Sequence, residues 1–120
     1  MKFCWITIYV SNMERSLQFY TEIVGLSIDR TIQASPTMQI AFLGKGETKV
    51  ELICNTAQQH PTHGNDISVG FEVESLDRMI EILKEKKIAI TSGPLQPNPH
   101  IKFLYVQDPD GVKIQFVENI

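Results

Sequence analysis

DPDGVKIQFVEN, residues 108–119, joins a tight turn to an alternating strand. The Asp-Pro-Asp-Gly segment is typical of a turn, because proline and glycine supply the backbone angles that turns require. In the strand that follows, Ile114 and Phe116 share one face and Gln115 lies on the other, since successive side chains alternate across a strand. The stretch therefore predicts a strand with one apolar face and an amide on the opposite face.

The same pattern occurs in the first half of the chain, in KVELICN, residues 49–55. There Val50 and Leu52 form the apolar face and Glu51 lies opposite. A shift of 64 residues superimposes Glu51 on Gln115. A shift of 63 residues superimposes WITIYV, residues 5–10, on the last six residues, 68–73, of the predicted strand ISVGFEV, residues 67–73, and pairs Trp5 with Ser68. These correspondences indicate an internal duplication.

Each half also contains one predicted helix. The first follows Ser11, with Glu14 at the capping-box spacing, and its apolar positions recur at helical spacing until Gly25 ends it. The second follows Ser75 and ends in a run of lysines, which the helix dipole favours. The apolar face of the first helix is predicted to comprise Met13, Leu17, Tyr20 and Val24.

Extended runs complete both halves, so that each reads strand, helix and three strands. The strand that follows the second helix is predicted at IAITSG, residues 88–93, and PLQPNPH, residues 94–100, is predicted to be a loop. The predicted fold class is α+β, with two βαβββ modules in tandem whose mixed sheets curl into a cup. A single domain, 1–120, is expected to comprise a module at about 1–55, a polar linker at about 56–66 and a module at about 67–120.

Composition limits the function classes. The 120 residues are 42% hydrophobic and 21% charged, with a formal net charge of -3, which argues against a nucleic-acid partner because phosphate binding needs a basic face. No apolar run approaches the ~20 residues needed to span a bilayer. The two cysteines form neither a disulfide framework nor a paired zinc motif. We therefore expect a cytoplasmic protein without a membrane partner.

Three segments together resemble the vicinal-oxygen-chelate superfamily, which includes glyoxalase I, extradiol dioxygenases, and bleomycin- and fosfomycin-resistance proteins. They are WITIYVSNMERSLQFYTEIVGL, KVELICN and DPDGVKIQFVE. The resemblance covers essentially the whole chain. It implies a homodimer and, in glyoxalase-like members, one Ni, Zn, Fe or Mn ion held by one residue from each of strands one, four, five and eight.

Carried over by position, the four metal-binding residues of that family fall on Trp5, Glu51, Ser68 and Gln115. The family pattern is His or Gln, Glu, His and Glu, so Glu51 alone matches. The Trp5 indole N–H donates and cannot coordinate, and a neutral Ser68 hydroxyl is a poor ligand. Three protein ligands are typical of a catalytic metal site. We therefore predict that the metal site is lost, with Glu51 and Gln115 as the remaining ligands if a metal binds.

Each of these residues has more than one interpretation. Trp5 could fill the cup or a dimer contact, or it could stack on a planar ligand. Glu51 could be a solvated carboxylate, a hydrogen-bond anchor or a general base. Ser68 and Gln115 fit a polar lining that donates and accepts hydrogen bonds.

Other reactive side chains receive simpler interpretations. His60 and His63 form H-x-x-H in a polar linker, without a third ligand, and are interpreted as surface histidines. His100, in the predicted loop over the cup, could be an acid or base or a solvated residue. Cys4 is expected to point toward the helix as an inert core thiol.

Three functions follow from these observations. The first is a metal-free binding protein for a small organic ligand, similar to the bleomycin-resistance branch, with Trp5, Glu51, Ser68 and Gln115 as the ligand-binding residues. The second is a metal-dependent, glyoxalase-like lyase or isomerase in which Glu51 is the base. The third is a scaffold or regulatory module without a ligand. The fold alone does not choose among them.

Overall fold

The computed structural model describes residues 1–58 and 60–120. The chain divides into two compact units, Met1–Thr62 and His63–Ile120. Each unit contains a four-stranded mixed sheet and one helical segment, in the order βαβββ. The predicted α+β class with two tandem βαβββ modules is therefore confirmed. No helix in the described ranges is long and apolar enough to cross a membrane.

The first unit contains β1 (Trp5–Tyr9), α1 (Met13–Gln18) continued by a π-helical turn (Phe19–Ile23), β2 (Ile28–Gln33), β3 (Met38–Leu43) and β4 (Lys49–Asn55). The second unit contains β5 (Ser68–Glu72), α2 (Leu76–Glu85), β6 (Ser92–Asn98), β7 (Ile101–Gln107) and β8 (Lys113–Asn119). The strand orders are β1-β4-β3-β2 and β5-β8-β7-β6. In both sheets the first strand pairs in parallel with the last, and the other pairs are antiparallel.

The strand register reproduces the internal repeat. Trp5 lies opposite Lys49 in one parallel pair, and Ser68 lies opposite Lys113 in the other. The two offsets are therefore 68 − 5 = 63 and 113 − 49 = 64, the shifts that the sequence indicates. The alignment of the two halves is confirmed at the level of individual residues.

The predicted strand faces agree with the observed core. Val50 and Leu52 are buried in the first unit, and Ile114 and Phe116 are fully buried in the second. Two predictions at strand starts are wrong. Cys4 is exposed rather than an inert core thiol, and Ile67, the first residue of the predicted strand 67–73, lies outside β5 and is 63% exposed. Both residues precede the first residue of their strand, so strand alternation does not govern their side chains.

The start of α1 differs from the predicted capping box. Asn12, rather than Ser11, caps the helix, and its side chain accepts a hydrogen bond from the backbone N–H of Arg15. The Ser11 hydroxyl instead accepts a hydrogen bond from the Arg15 guanidinium at 3.0 Å. Glu14 is therefore the second helical residue, one position too early to complete a capping box.

The first helical segment ends in a turn that is wider than a turn of α-helix. The backbone N–H of Val24 donates to the carbonyl of Phe19, five residues earlier, and Gly25 follows with φ +84°. The wider turn rotates the apolar face. Phe19 and Ile23 are consequently buried, whereas Leu17 is only partly buried. The predicted helix and its glycine stop are confirmed, but its apolar face is only partly right.

The sixth strand lies further along the chain than predicted. Residues 88–91 are outside it, and β6 instead covers the proline-containing segment that was predicted to be a loop. The pairing of β6 with β7 is irregular, and every residue of β6 is exposed. A proline-rich sequence can occupy such an edge strand because one side of the edge needs no ladder hydrogen bonds. His100 therefore lies in the short turn between β6 and β7 rather than at the end of a longer loop.

The turn before β8 forms as predicted and is held by a side chain. The buried Asp108 carboxylate accepts hydrogen bonds from the backbone N–H groups of Asp110 and Val112, at 2.8 and 2.9 Å. Gly111 has φ +88°, the left-handed region that favours glycine. This turn fixes the register with which β8 enters the sheet.

Candidate ligand-binding site

Glu51 lies at the centre of one face of the first sheet. Its side chain is only 9% exposed, and its Oε1 accepts a hydrogen bond from the Thr7 hydroxyl at 2.6 Å. Thr7 on β1 and Phe42 on β3 are its register neighbours. The prediction that Glu51 is solvated is therefore wrong. A buried carboxylate with a fixed donor is a strong anchor for polar groups.

Trp5 provides an aromatic surface on the same face. Its indole is 47% exposed and meets the Phe42 ring edge-on, with centroids 5.3 Å apart. Phe42 is buried, and the Arg30 guanidinium lies 4.5 Å from its ring centroid. The neighbours hold Trp5 in place while leaving part of the indole available for stacking.

A cavity of about 230 Å³ adjoins this aromatic cluster. Two of the charged residues that line it, Lys49 and Asp29, neutralise each other, because the Lys49 ammonium lies 3.8 Å from the Asp29 carboxylate. The same ammonium donates a hydrogen bond to the Gly44 carbonyl at 3.0 Å. The exposed thiol of Cys4 also lines it. The full lining comprises Lys2, Cys4, Trp5, Asp29, Arg30, Phe42, Glu47 and Lys49.

Gln115 occupies the equivalent position in the second sheet, with different neighbours. Its Nε2 donates to the Tyr105 hydroxyl at 3.2 Å. Gly70 lies opposite it on β5, where a side chain would press on the Gln115 Oε1, because an added Cβ would lie 3.2 Å from that atom. Ser68 is exposed and lies opposite Lys113. The second sheet thus presents a hydrogen-bonded amide without an ionisable group at the position of Glu51.

The structure therefore groups the four predicted residues in two pairs. Trp5 and Glu51 share one face of the first sheet. Ser68 and Gln115 share one face of the second sheet, because Gln115 lies opposite Gly70, two residues after Ser68 on β5. Convergence of the two pairs on one surface stays a prediction. Sequence reasoning missed Thr7, Phe42 and Arg30, because the register that places Thr7 and Phe42 beside Glu51 appears only in the assembled sheet.

The metal of the superfamily does not fit these side chains. Within residues 1–58 and 60–120, no three His, Cys, Asp or Glu side chains form a group that could hold a metal ion. At the four family positions, one carboxylate and one amide fall short of the three protein ligands of a catalytic site. We derive no reaction step through a metal.

The first unit contains His60, and the second unit contains His63 and His100. His60 lines a cavity of about 550 Å³ in the first unit, together with Tyr9, Ile53 and Pro61. His63 begins the second unit, so the two histidines of H-x-x-H belong to different units. His100 is exposed and lies in the β6–β7 turn. Its backbone N–H donates a hydrogen bond to the Asn98 Oδ1 at 2.8 Å.

Sequence comparison shows that this chain is similar to a known family and to several named proteins. A family model described as the Glyoxalase/Bleomycin resistance protein/Dioxygenase superfamily matches residues 2–116. A lactoylglutathione lyase from Haemophilus influenzae is 31% identical over 121 residues, which cover 92% of this chain and 87% of that protein. A probable lactoylglutathione lyase from Synechocystis is 27% identical and covers 93% and 91%. The chain spans only 33% of a probable chloroplastic lactoylglutathione lyase from Arabidopsis thaliana, at 26% identity.

Solved structures share the fold at lower identity. The trypanothione-dependent glyoxalase I of Leishmania major matches with a TM-score of 0.85 and 23% identity, over 98% of this chain and 86% of that one. TnmS3, an antibiotic binding protein from Streptomyces sp. CB03234, matches with a TM-score of 0.78 and 20% identity, over 100% and 97%. The same fold thus serves an enzyme and a binding protein.

Proposed function

Because the chain belongs to the glyoxalase/bleomycin resistance protein/dioxygenase superfamily, we propose that it is a small-molecule-binding protein without the metal site of its relatives. One observation carries this proposal: Trp5, which the superfamily resemblance aligns with a metal-ligand position, is half-exposed and packs against buried Phe42. An indole cannot coordinate a metal, but it stacks on planar or apolar groups. The residue type at this position therefore favours binding over metal chemistry.

The other three residues would fix the polar groups of the ligand. Glu51, held by Thr7, is the anchor beside Trp5. We assign Ser68 and Gln115 the same role for the second unit, where the Gln115 amide contacts the Tyr105 hydroxyl. Binding without catalysis needs no Lewis acid, so the replacement of metal ligands is compatible with this function.

The test uses the single tryptophan of the chain as a reporter. A series of apolar aromatic compounds is titrated while Trp5 fluorescence is recorded, and calorimetry provides an independent affinity. We expect saturable quenching for part of the series, and loss of the calorimetric signal in Trp5→Ala. Phe3→Ala is the matched control, because Phe3 is 65% exposed and precedes β1. Binding that survives Trp5→Ala, or that is lost equally in Phe3→Ala, would contradict the proposal.

The alternative is a metal-dependent, glyoxalase-like lyase or isomerase. Two observations favour it: the relatives named lactoylglutathione lyase, and the retained, buried Glu51. In this alternative Glu51 is the base that removes a proton next to a carbonyl, and Glu51 and Gln115 are the ligands available to Ni, Zn, Fe or Mn. Lactoylglutathione lyase activity that appears with one of these metals and disappears in Glu51→Gln would establish the alternative.

We extend the proposal to the molecular context. The partners are a small organic ligand and a second copy of the chain, with neither nucleic acid nor a membrane, and the location is the cytoplasm. The homodimer rests on the superfamily resemblance. Light scattering at several concentrations tests it, and a mass of one chain, 13.6 kDa, at all concentrations would contradict it.

A further inference from the structure

We propose that the ligand carries a positively charged nitrogen that pairs with Glu51, joined by a short linker to a planar group that stacks on Trp5. This inference rests on the proposed function and specifies the chemical class of the ligand, an arylalkylammonium. Only residues of the first unit support this inference.

The first step is the charge of Glu51. Its carboxylate is buried, and the Thr7 hydroxyl is a neutral donor. In the part of the chain that the structure describes, no cationic side chain forms an ion pair with Glu51. Buried carboxylates are ordinarily compensated by a cation or by several donors. A ligand cation would supply the compensation that the protein does not.

The second step is the placement of the nearby cations. Lys49 is two residues before Glu51 on β4, yet its ammonium contacts the Asp29 carboxylate and the carbonyls of Gly44 and Gly46. The Arg30 guanidinium lies over the Phe42 ring. Both cations thus have other partners. The protein does not neutralise Glu51 with these two cations of the same sheet.

The third step is the spacing of the two contact points. Trp5 and Thr7 are alternate residues of β1 and therefore lie about 6–7 Å apart along the strand. Thr7 lies opposite Glu51, so the indole and the carboxylate are separated by a similar span. A planar ring with an ammonium on a linker of a few carbon atoms matches this distance. The indole face also attracts a cation that passes over it.

The experiment compares three probes that share one ring and one linker: phenylbutylammonium, phenylbutanol and phenylbutyrate. Their phenyl rings leave Trp5 fluorescence measurable during titration. We expect the ammonium to bind about tenfold more tightly than the alcohol, which is typical of a charge-assisted hydrogen bond. We expect the carboxylate probe to bind more weakly than the alcohol, because it meets the like charge of Glu51.

Two substitutions assign the preference to Glu51. Glu51→Gln should reduce the ratio of ammonium to alcohol affinities to within about twofold while the alcohol affinity is retained. Glu47→Gln is the matched control, because exposed Glu47 lines the cavity beside Trp5 and the substitution removes one carboxylate charge, as Glu51→Gln does. It should leave the ratio unchanged. Glu51→Asp keeps the charge and should keep a preference for the ammonium if Glu51→Gln is poorly folded.

The outcomes separate this inference from the proposed function. Equal affinities for the ammonium and the alcohol, or tighter binding of the carboxylate probe, would overturn the cationic ligand and leave the binding function standing. A preference for the ammonium that persists in Glu51→Gln would also overturn it. If none of the three probes changes Trp5 fluorescence or gives heat on binding, the cationic ligand is overturned, and the aromatic series titrated against Trp5→Ala then decides the binding function separately.

Discussion

Thr7 and Gly70 occupy equivalent positions in the two units, but they give their neighbours different chemistry. Thr7 donates a hydrogen bond to the buried Glu51, whereas Gly70 leaves room for the side chain of Gln115. The offset of 63 residues aligns Thr7 with Gly70, but it does not predict which residues lie beside them. It does not predict that Glu51 is buried, because burial depends on what covers the face and not on alternation along the strand.

The Thr7 hydroxyl is expected to stabilise the folded protein through Glu51. Thr7→Val keeps the side-chain shape but leaves a buried carboxylate without this donor, which we expect to lower the free energy of unfolding by about 1–3 kcal/mol. Chemical denaturation measures the change. Thr48→Val is the matched control, because the exposed Thr48 hydroxyl bonds only the Phe3 carbonyl and should cost under about 0.5 kcal/mol. Equal losses in the two variants would contradict this role.

Among the elements, β6 departs furthest from the sequence prediction. Two of its residues are prolines, which argue against a strand in any scheme based on local propensity. Its position as an edge strand permits them, and edge position is a property of the assembled sheet. The π-helical turn after α1 was missed for a similar reason, because apolar spacing at the α-helical period does not reveal an inserted residue.

Gly93 is expected to be indispensable to β6. It has φ +92°, and a Cβ at this position would lie 2.9 Å from the Phe103 carbonyl oxygen on β7. We expect Gly93→Ala to lower the free energy of unfolding by about 1–3 kcal/mol, because both the backbone angle and the close approach oppose a side chain. Gly46→Ala is the control, since a Cβ there meets nothing within 4 Å. A Gly93→Ala protein as stable as the control would be inconsistent with this structure.

Glu118 links β8 to the start of α2. Its Oε1 accepts a hydrogen bond from the backbone N–H of Leu76 at 2.6 Å, and the Lys102 ammonium lies 4.0 Å away. We expect Glu118→Ala to lower the free energy of unfolding by about 1 kcal/mol. A carboxylate at a helix start accepts a hydrogen bond from a free backbone N–H and interacts favourably with the positive end of the helix dipole. Thermal and chemical denaturation test this. Glu81→Ala, on the exposed face of the same helix, should change stability by less than about half as much.

At the scale of the whole molecule, the duplication was the most informative feature of the sequence. It predicts two βαβββ units and aligns them residue by residue, because two copies of one unit share the same strand order and register. It does not predict what the site binds. That depends on Trp5 and Glu51 and on side chains from β2 and β3, such as Arg30 and Phe42, whose contacts no motif encodes.

The central claim is that the protein binds its ligand without the metal of its relatives, and metal analysis tests it most directly. The purified protein is incubated in turn with Ni, Zn, Fe and Mn, dialysed, and measured for bound metal per chain. Our account predicts well under one tenth of an ion per chain with each metal, and no difference between the native protein and Glu51→Ala. One ion per chain, retained through dialysis and lost in Glu51→Ala, would contradict it.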